Sequence, residues 1–193
     1  MSRIIAGSAR GHSLGTPRHS RTRPTTDRVR ESAFQLMADW AGTVGEPAEN
    51  LLARFSFLDL YAGSGAVALE AASRGAGPVA AVEADRATAA LIGANARATR
   101  LAVEVHPVTV AAFLAGPATP FDIVWLDPPY DLPSPVVAAV VARVAEVWLA
   151  ADGLVVVERS RRDDAFVWPS RFVNQWSRRY GETTLFFASQ EAS

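Results

Sequence analysis

The chain predicts an α/β fold, a mostly parallel sheet wound by helices and closed by an antiparallel hairpin, with a small basic extension in front of it. Three observations carry this expectation. From residue 55 onward, short apolar strands alternate with Ala/Leu-rich helices. A Gly-rich turn, Gly63-Ser64-Gly65, directly follows the first of those strands. The last two strands are joined only by Tyr180-Gly181-Glu182, too short a link for a parallel crossover.

Residues 3–16 alternate and are punctuated by Gly7, Gly11 and Gly15, which predicts a hairpin of residues 3–6 with 12–14. An Arg/His/Pro-rich loop runs to Pro24. Thr25 or Thr26 then caps a helix whose first turn carries Asp27, facing the positive end of the helix dipole. Val29, Ala33, Phe34, Met37 and Trp40 give that helix an apolar stripe, and Arg28, Arg30 and Gln35 stand on its other face. Residues 42–49 read as a linker, so residues 1–41 form an extension and 50–193 the main body. In the body, strands are expected at 56–61, 79–83, 102–107, 121–126, 153–158, 171–178 and 183–188, with helices at 65–74, 86–98 and 135–149.

Composition narrows the function. With 193 residues, 49% of them hydrophobic, the chain has enough material for one sizeable core. No apolar run approaches the roughly 20 residues of a bilayer span, and the opening residues lack a signal-peptide core, so a cytoplasmic protein is expected. Cysteine is absent, which excludes disulfides, thiolate zinc sites and a cysteine nucleophile, including the thiolate that adds to a pyrimidine ring before carbon-5 chemistry. His12, His19 and His106 are too dispersed to suggest a metal site, and none is expected. Charge is unevenly spread. Residues 1–30 hold seven arginines against one acid, a balance of +6, while the remainder holds twelve arginines against nineteen acids, a balance of −7. A basic arm on an acidic body reads as a nucleic-acid surface.

Residues 121–130, Phe-Asp-Ile-Val-Trp-Leu-Asp-Pro-Pro-Tyr, run an apolar strand into a carboxylate, two prolines and an aromatic ring. The prolines forbid both helix and ladder pairing, so the chain leaves the sheet there in a stiff extended path. That path gathers the Asp127 carboxylate, the Pro128 carbonyl and the Tyr130 ring around a space suited to a planar heterocycle with an exocyclic amine. The ring stacks on Tyr130, and the two oxygens accept the amine hydrogens. A Pro-rich loop with Asp127 as a turn former is the plainer alternative.

The turn at Gly63 and Gly65 lets the backbone approach a ligand closely, and Glu83 ends the next strand 20 residues after Gly63, placed to receive two ribose hydroxyls. Gly63-Ser-Gly65-Ala-Val-Ala68 also satisfies a dinucleotide fingerprint. Asp59, four residues before Gly63, and the amine pocket one strand away favour S-adenosylmethionine instead, Asp59 reaching its ammonium directly or through water. At the end of the third strand of the body stands Thr109-Val110, and the Val110 backbone amide is the candidate adenine contact.

Arg23-Pro-Thr25-Thr26-Asp-Arg28-Val-Arg30-Glu31, Ala62-Gly-Ser-Gly65 and Asp127-Pro-Pro-Tyr130 together resemble the RsmD family of bacterial 16S rRNA (guanine-N2)-methyltransferases. Arg3-Ile-Ile-Ala-Gly7 and Tyr180-Gly-Glu-Thr-Thr184 are similar to that family too, so the likeness covers nearly the whole chain. The resemblance implies a class I S-adenosylmethionine-dependent methyltransferase (Rossmann-like) fold. It also implies methylation of the N2 amine of one guanosine in small-subunit rRNA, within an assembled particle, by a monomer. Asp127, Pro128 and Tyr130 then carry the chemistry, and Asp59, Gly63, Gly65, Glu83 and Val110 the cofactor. Arg10, Arg23, Thr25, Thr26, Arg28 and Arg30 are the RNA-binding candidates, with Arg159, Arg161 and Arg162 as an extension of the track. The absence of lysine and the Thr109-Val110 pair depart from the family pattern. Rival readings are a DNA adenine-amine methyltransferase, which shares Asp-Pro-Pro-Tyr, and a non-catalytic RNA-binding module with a vestigial fold. A protein-glutamine methyltransferase would more naturally have Asn in place of Asp127.

Overall fold

A computed structural model describes residues 2–17, 26–160 and 167–190. Strands β1 (Ser2–Arg3) and β2 (Ser13–Leu14) pair as a hairpin, and helix α1 (Asp27–Trp40) follows. The body then runs β3 (Phe57–Leu60), α2 (Ala66–Ser73), β4 (Val79–Val82), α3 (Arg86–Thr99), β5 (Glu104–His106), α4 (Val110–Leu114), β6 (Phe121–Leu126), α5 (Ser134–Arg143), β7 (Leu149–Ser160), β8 (Asn174–Tyr180) and β9 (Thr183–Ser189). Its seven strands form one sheet in the order β5-β4-β3-β6-β7-β9-β8. The first five are parallel, and the β8–β9 hairpin closes the sheet antiparallel against β7.

The differences from expectation are local. Helix α4 was not foreseen, because five residues are too few to show a helical period. Helix α5 ends at Arg143, a single π turn covers Val144–Trp148, and β7 begins at Leu149, four residues before its expected start. A register shift between Phe121 and Ile123 accommodates the extra length of β7. Strand β8 starts only at Asn174, after a turn in which the Phe172 amide donates to the Pro169 carbonyl.

Period-two alternation sorts the strand residues to two cores. Phe57, Ile123, Trp125, Val156 and Phe187 pack with Val29, Phe34 and Met37 of α1 on one face. Leu58, Leu60, Val124, Leu126 and Val157 pack with α4 and α5 on the other. Helix α1 is therefore built into the core of the body. Its start is set by Thr26, whose Oγ1 accepts from the Val29 amide at 3.3 Å.

The hairpin is shorter than expected because its chain is diverted onto α2. The amides of Ile5 and Ala6 donate to the two carboxylate oxygens of Glu70 at 2.7 and 3.0 Å. The Ser8 amide donates to the Ser73 carbonyl, and the Ala9 amide to the Ser73 hydroxyl. Gly7 has φ +82° and lies so close to α2 that a Cβ would fall 1.8 Å from the Ser73 carbonyl oxygen, so only glycine passes here. Glu70 is fully buried, with Arg74 Nε at 2.8 Å and Arg30 Nε at 3.8 Å.

Candidate functional site

Strand β3 is buried along its whole length and ends in a turn where Tyr61, Gly63 and Gly65 all have positive φ. Gly65 caps α2 in the left-handed region, and a Cβ there would meet Ile92 at 2.6 Å. Over Gly63 there is open space for 4 Å, which is what a ligand-cradling backbone requires. Glu83, half-buried at the end of β4, accepts from the Gly63 amide and the Asp85 amide, each at 2.9 Å. The two features that lie 20 residues apart in the chain thus meet at the turn.

Asp59 is 1% exposed, and its Oδ2 accepts from the Ala68 amide at 3.0 Å, tying β3 to α2. Burial pushes its carboxyl up to about 8, with the charges of Glu83 and Glu158 adding to the shift. Thr109 caps α4 by accepting from the Ala112 amide, and Val110 begins that helix with its side chain buried. Its amide belongs to the first turn, which has no intrahelical acceptor.

Strand β6 lies between β3 and β7, with Leu126 beside Leu60 and Val157. One residue further on, Asp127 leaves β6 while Glu158 continues β7, near enough for its charge to be felt at Asp127. Trp125 and Val156 point toward α1 and Leu126 and Val157 away from it, so the alternation turns Glu158 back to the α1 side. The Asp127 amide donates to the Leu60 carbonyl at 3.3 Å, holding the exit of β6 against β3. Its half-buried carboxyl is raised well above the usual range, first by loss of solvent and then by the charges of Glu158 and Asp59, with Arg159 opposing.

A cleft of about 490 Å³ opens beside Glu158, and Asp127 is not among its lining residues. Its walls are Thr26, Arg28 and Val29 at the start of α1, Tyr130 after β6, Glu158 on β7, and residues 179–183 of the β8–β9 hairpin. Tyr130 is 41% exposed. Thr26 both caps α1 and lines the cleft.

Among the RNA-binding candidates, Arg28 is exposed and lines the cleft, while Arg10 is exposed on the hairpin turn away from it. Arg30 corrects the expectation. It is 1% exposed and held by the Arg3 carbonyl, Asp27 and Glu70, so no phosphate reaches it. Arg159 is likewise buried at 4% exposure, with Nη2 donating to the Leu132 carbonyl at 3.0 Å, and it anchors the loop after β6. Arg23, Thr25, Arg161 and Arg162 lie outside the described residues. Sequence reasoning missed Glu158 and the hairpin wall. The signal for Glu158 was available: like Asp127, it is an acid where an apolar strand ends. Among the described residues no cluster of metal-ligating side chains exists, and no helix is long and apolar enough to cross a membrane.

The family model described as "Conserved hypothetical protein 95" matches residues 2–189. A Haemophilus influenzae protein named ribosomal RNA small subunit methyltransferase D is 30% identical over 175 residues, covering 88% of this chain and 84% of that protein. The chain belongs to the RsmD family. The protein of the same name from Escherichia coli K12 is 37% identical over 129 residues, and that match covers 66% of this chain and 60% of the relative's length. Among solved structures, the E. coli methyltransferase candidate yhhF superposes with a TM-score of 0.81 at 29% identity, covering 100% of this chain and 99% of that one. The H. influenzae methylase candidate HI0767 gives 0.77 at 26% identity, covering 98% of each chain. The fold is that of the class I S-adenosylmethionine-dependent methyltransferases, as the RsmD resemblance implied.

The state of Asp59 gives a test independent of activity. Its folded pKa of about 8 is above the unfolded carboxylate value, so between ~4 and 8 the folded chain holds more protons than the unfolded one. The stability linked to this group is complete below the unfolded value and is lost as pH rises through about 8. Asp59→Asn, whose side-chain oxygen still accepts from Ala68, is expected to flatten the fall in denaturant midpoint between pH 5 and 8. An unchanged slope would place the shifted group elsewhere.

Proposed function

We propose that this chain transfers a methyl group from S-adenosylmethionine to the N2 amine of a guanosine in small-subunit rRNA. The observation that carries the reading is convergence. The Gly63–Gly65 turn with Glu83 stands at the carboxyl ends of β3 and β4, and Asp127-Pro-Pro-Tyr130 leaves the adjacent strand β6 at the same end. Ligands of wound sheets bind at that end, where the strand order reverses.

The residues fit the cofactor. Gly63 leaves the turn open, Glu83 stands against it to receive ribose hydroxyls, and Asp59 is placed for the ammonium with its second oxygen. Bound there, S-adenosylmethionine supplies a methyl group carried on a sulfonium. The chain's own residues prepare the acceptor. The guanine amine is a weak nucleophile because its lone pair is delocalised into the ring. The Asp127 carboxylate and the Pro128 carbonyl accept its two hydrogens, draw the nitrogen toward tetrahedral geometry and free that pair. As the nitrogen–carbon bond forms and the carbon–sulfur bond breaks, the amine gives up one proton. Asp127 is suited to take it because its surroundings make it a stronger base than an ordinary carboxylate. Tyr130 holds the base by stacking, typically worth ~1–3 kcal/mol. The target base is extruded or already unpaired when it enters the cleft.

Residues 1–41 serve as the recognition extension, with Arg10 and Arg28 as phosphate contacts and Arg23 and Thr25 assigned to the same role. The rRNA is presented within a small-subunit particle, and the enzyme acts as a cytoplasmic monomer. Tritium transfer from labelled S-adenosylmethionine to small subunits, free rRNA and DNA, followed by nucleoside analysis, tests the reading. Label in N2-methylguanosine supports it, and label in DNA adenine replaces it.

Asp127→Ala is expected to abolish transfer while cofactor affinity stays within a few-fold. Tyr130→Ala should be less damaging, and Tyr130→Phe milder still, because stacking needs the ring and not the hydroxyl. Equal loss in Tyr130→Phe and Asp127→Ala would give the hydroxyl a chemical role. Both outcomes are read from single-turnover rates beside calorimetric cofactor binding.

Neutralising Arg10 and Arg28 together is expected to leave cofactor binding intact and to lower the log–log salt slope of RNA binding by up to about two units, about one per lost phosphate contact. An unchanged affinity and slope in the folded double variant would remove these arginines from the RNA path.

A further inference from the structure

Asp-Pro-Pro-Tyr presents acceptors to an exocyclic amine, and adenine carries such an amine as well as guanine. What separates the bases is the neighbouring ring atom. Beside its 2-amine, guanine carries N1–H, a donor, whereas beside the 6-amine of adenine N1 is a bare acceptor. A site that reads guanine therefore needs a second acceptor next to the one that receives the amine.

We propose that Glu158 is that acceptor and selects guanine, its carboxylate taking the N1–H of the base whose N2 amine faces Asp127. The inference rests on the function proposed above and goes one step further, to specificity. Three observations carry it. The register pairs Leu126 with Val157, so Asp127, where the chain leaves β6, and Glu158, still on β7, each lie one residue beyond that last pair of adjacent parallel strands. Glu158 lines the same cleft as Tyr130, the stacking ring, and is turned to the α1 side of the sheet. It does so while only 2% exposed, so the part of the wall that it forms is largely shielded from water. The charge of Glu158 is also felt at Asp127, which agrees with their proximity.

The energetics favour strong discrimination. A carboxylate in a dry wall gains a charge-assisted hydrogen bond from N1–H. Facing the lone pair of a bare N1, it gains nothing and is repelled. A site built to bond a substrate hydrogen rejects the analogue lacking it far more strongly than an apolar pocket rejects a missing methylene.

The test uses reconstituted small subunits in which the guanosine mapped by the tritium experiment is kept or replaced by 2-aminopurine riboside. The analogue retains the 2-amine and has no N1–H. For the wild-type enzyme, kcat/KM on the analogue is expected to be at least about a hundredfold lower than on guanosine. In Glu158→Gln the amide can donate to the bare N1, and that ratio should shrink at least tenfold. Because 2-aminopurine also lacks O6, the change of ratio on substitution is the deciding number. If Glu158 acted only by raising the basicity of Asp127, both RNAs would slow together and the ratio would hold, which overturns the proposal. Wild-type transfer to the analogue within about threefold of guanosine overturns it without recourse to the variant. Failure of the guanosine control itself would instead bring down the proposed function, and the two failures are read from separate arms.

Discussion

The arrangement depends on one buried carboxylate. Glu70 lies on α2, directly after the Gly-rich turn, and is surrounded by residues from three parts of the chain. It accepts two amides from the N-terminal arm, pairs with Arg74 of its own helix, and faces Arg30 from α1. A fully buried charge is costly unless its lone pairs are used, and here the backbone of the arm uses them. Arg74 also stands over the Phe34 ring at 4.9 Å, joining the same cluster to the core packing of α1. The arm cannot leave without stranding Glu70, so the basic extension is held to the helix that follows the Gly-rich turn.

That constraint builds the cleft. With α1 locked against the sheet, its first residues, Thr26, Arg28 and Val29, reach the same opening as Tyr130, Glu158 and the β8–β9 hairpin. The proposed cofactor side is made by the body alone, from β3, β4 and the turn. The proposed target side needs the start of α1 as a wall. Carboxylates crowd between them: burial first, and then the charges of neighbouring acids including Glu158, makes Asp59 and Asp127 hold their protons far more tightly than usual. A region so rich in carboxyl groups offers hydrogen-bond acceptors, and it leaves attraction of the phosphate backbone to the arginines at its rim.

Much of this could be read from the chain because the chemistry sits in short strings. Asp127-Pro-Pro-Tyr130 dictates its own extended path, and Gly63 and Gly65 announce a positive-φ turn. Alternation placed all seven strands of the sheet, and the short link at Gly181 placed the hairpin. The misreadings arose where tertiary partners decide. Arg30 was assigned to the surface face of α1, yet it lies three and four residues before Ala33 and Phe34 and so shares their buried side. A lone acid in the apolar run of α2 was a sign of such a partner, and Glu70 is that acid. Glu158 showed in the sequence only as an acid ending an apolar run; that it lies near Asp127 depends on the register between β6 and β7, which no local pattern records.

The central claim is that Glu70 ties the arm to α1, whose first residues wall the target cleft, and does not build the cofactor site. Native-state hydrogen exchange of Glu70→Ala, with binding of S-adenosylmethionine and of small-subunit rRNA measured on the same protein, tests it most directly. The account predicts that amides of Ile5, Ala6, Ser8 and Ala9 lose protection relative to β3 and β6, and that rRNA affinity falls at least tenfold while cofactor affinity stays within about threefold. Arm amides that remain as protected as in the wild type, or cofactor and rRNA affinity lost in equal measure, would contradict it.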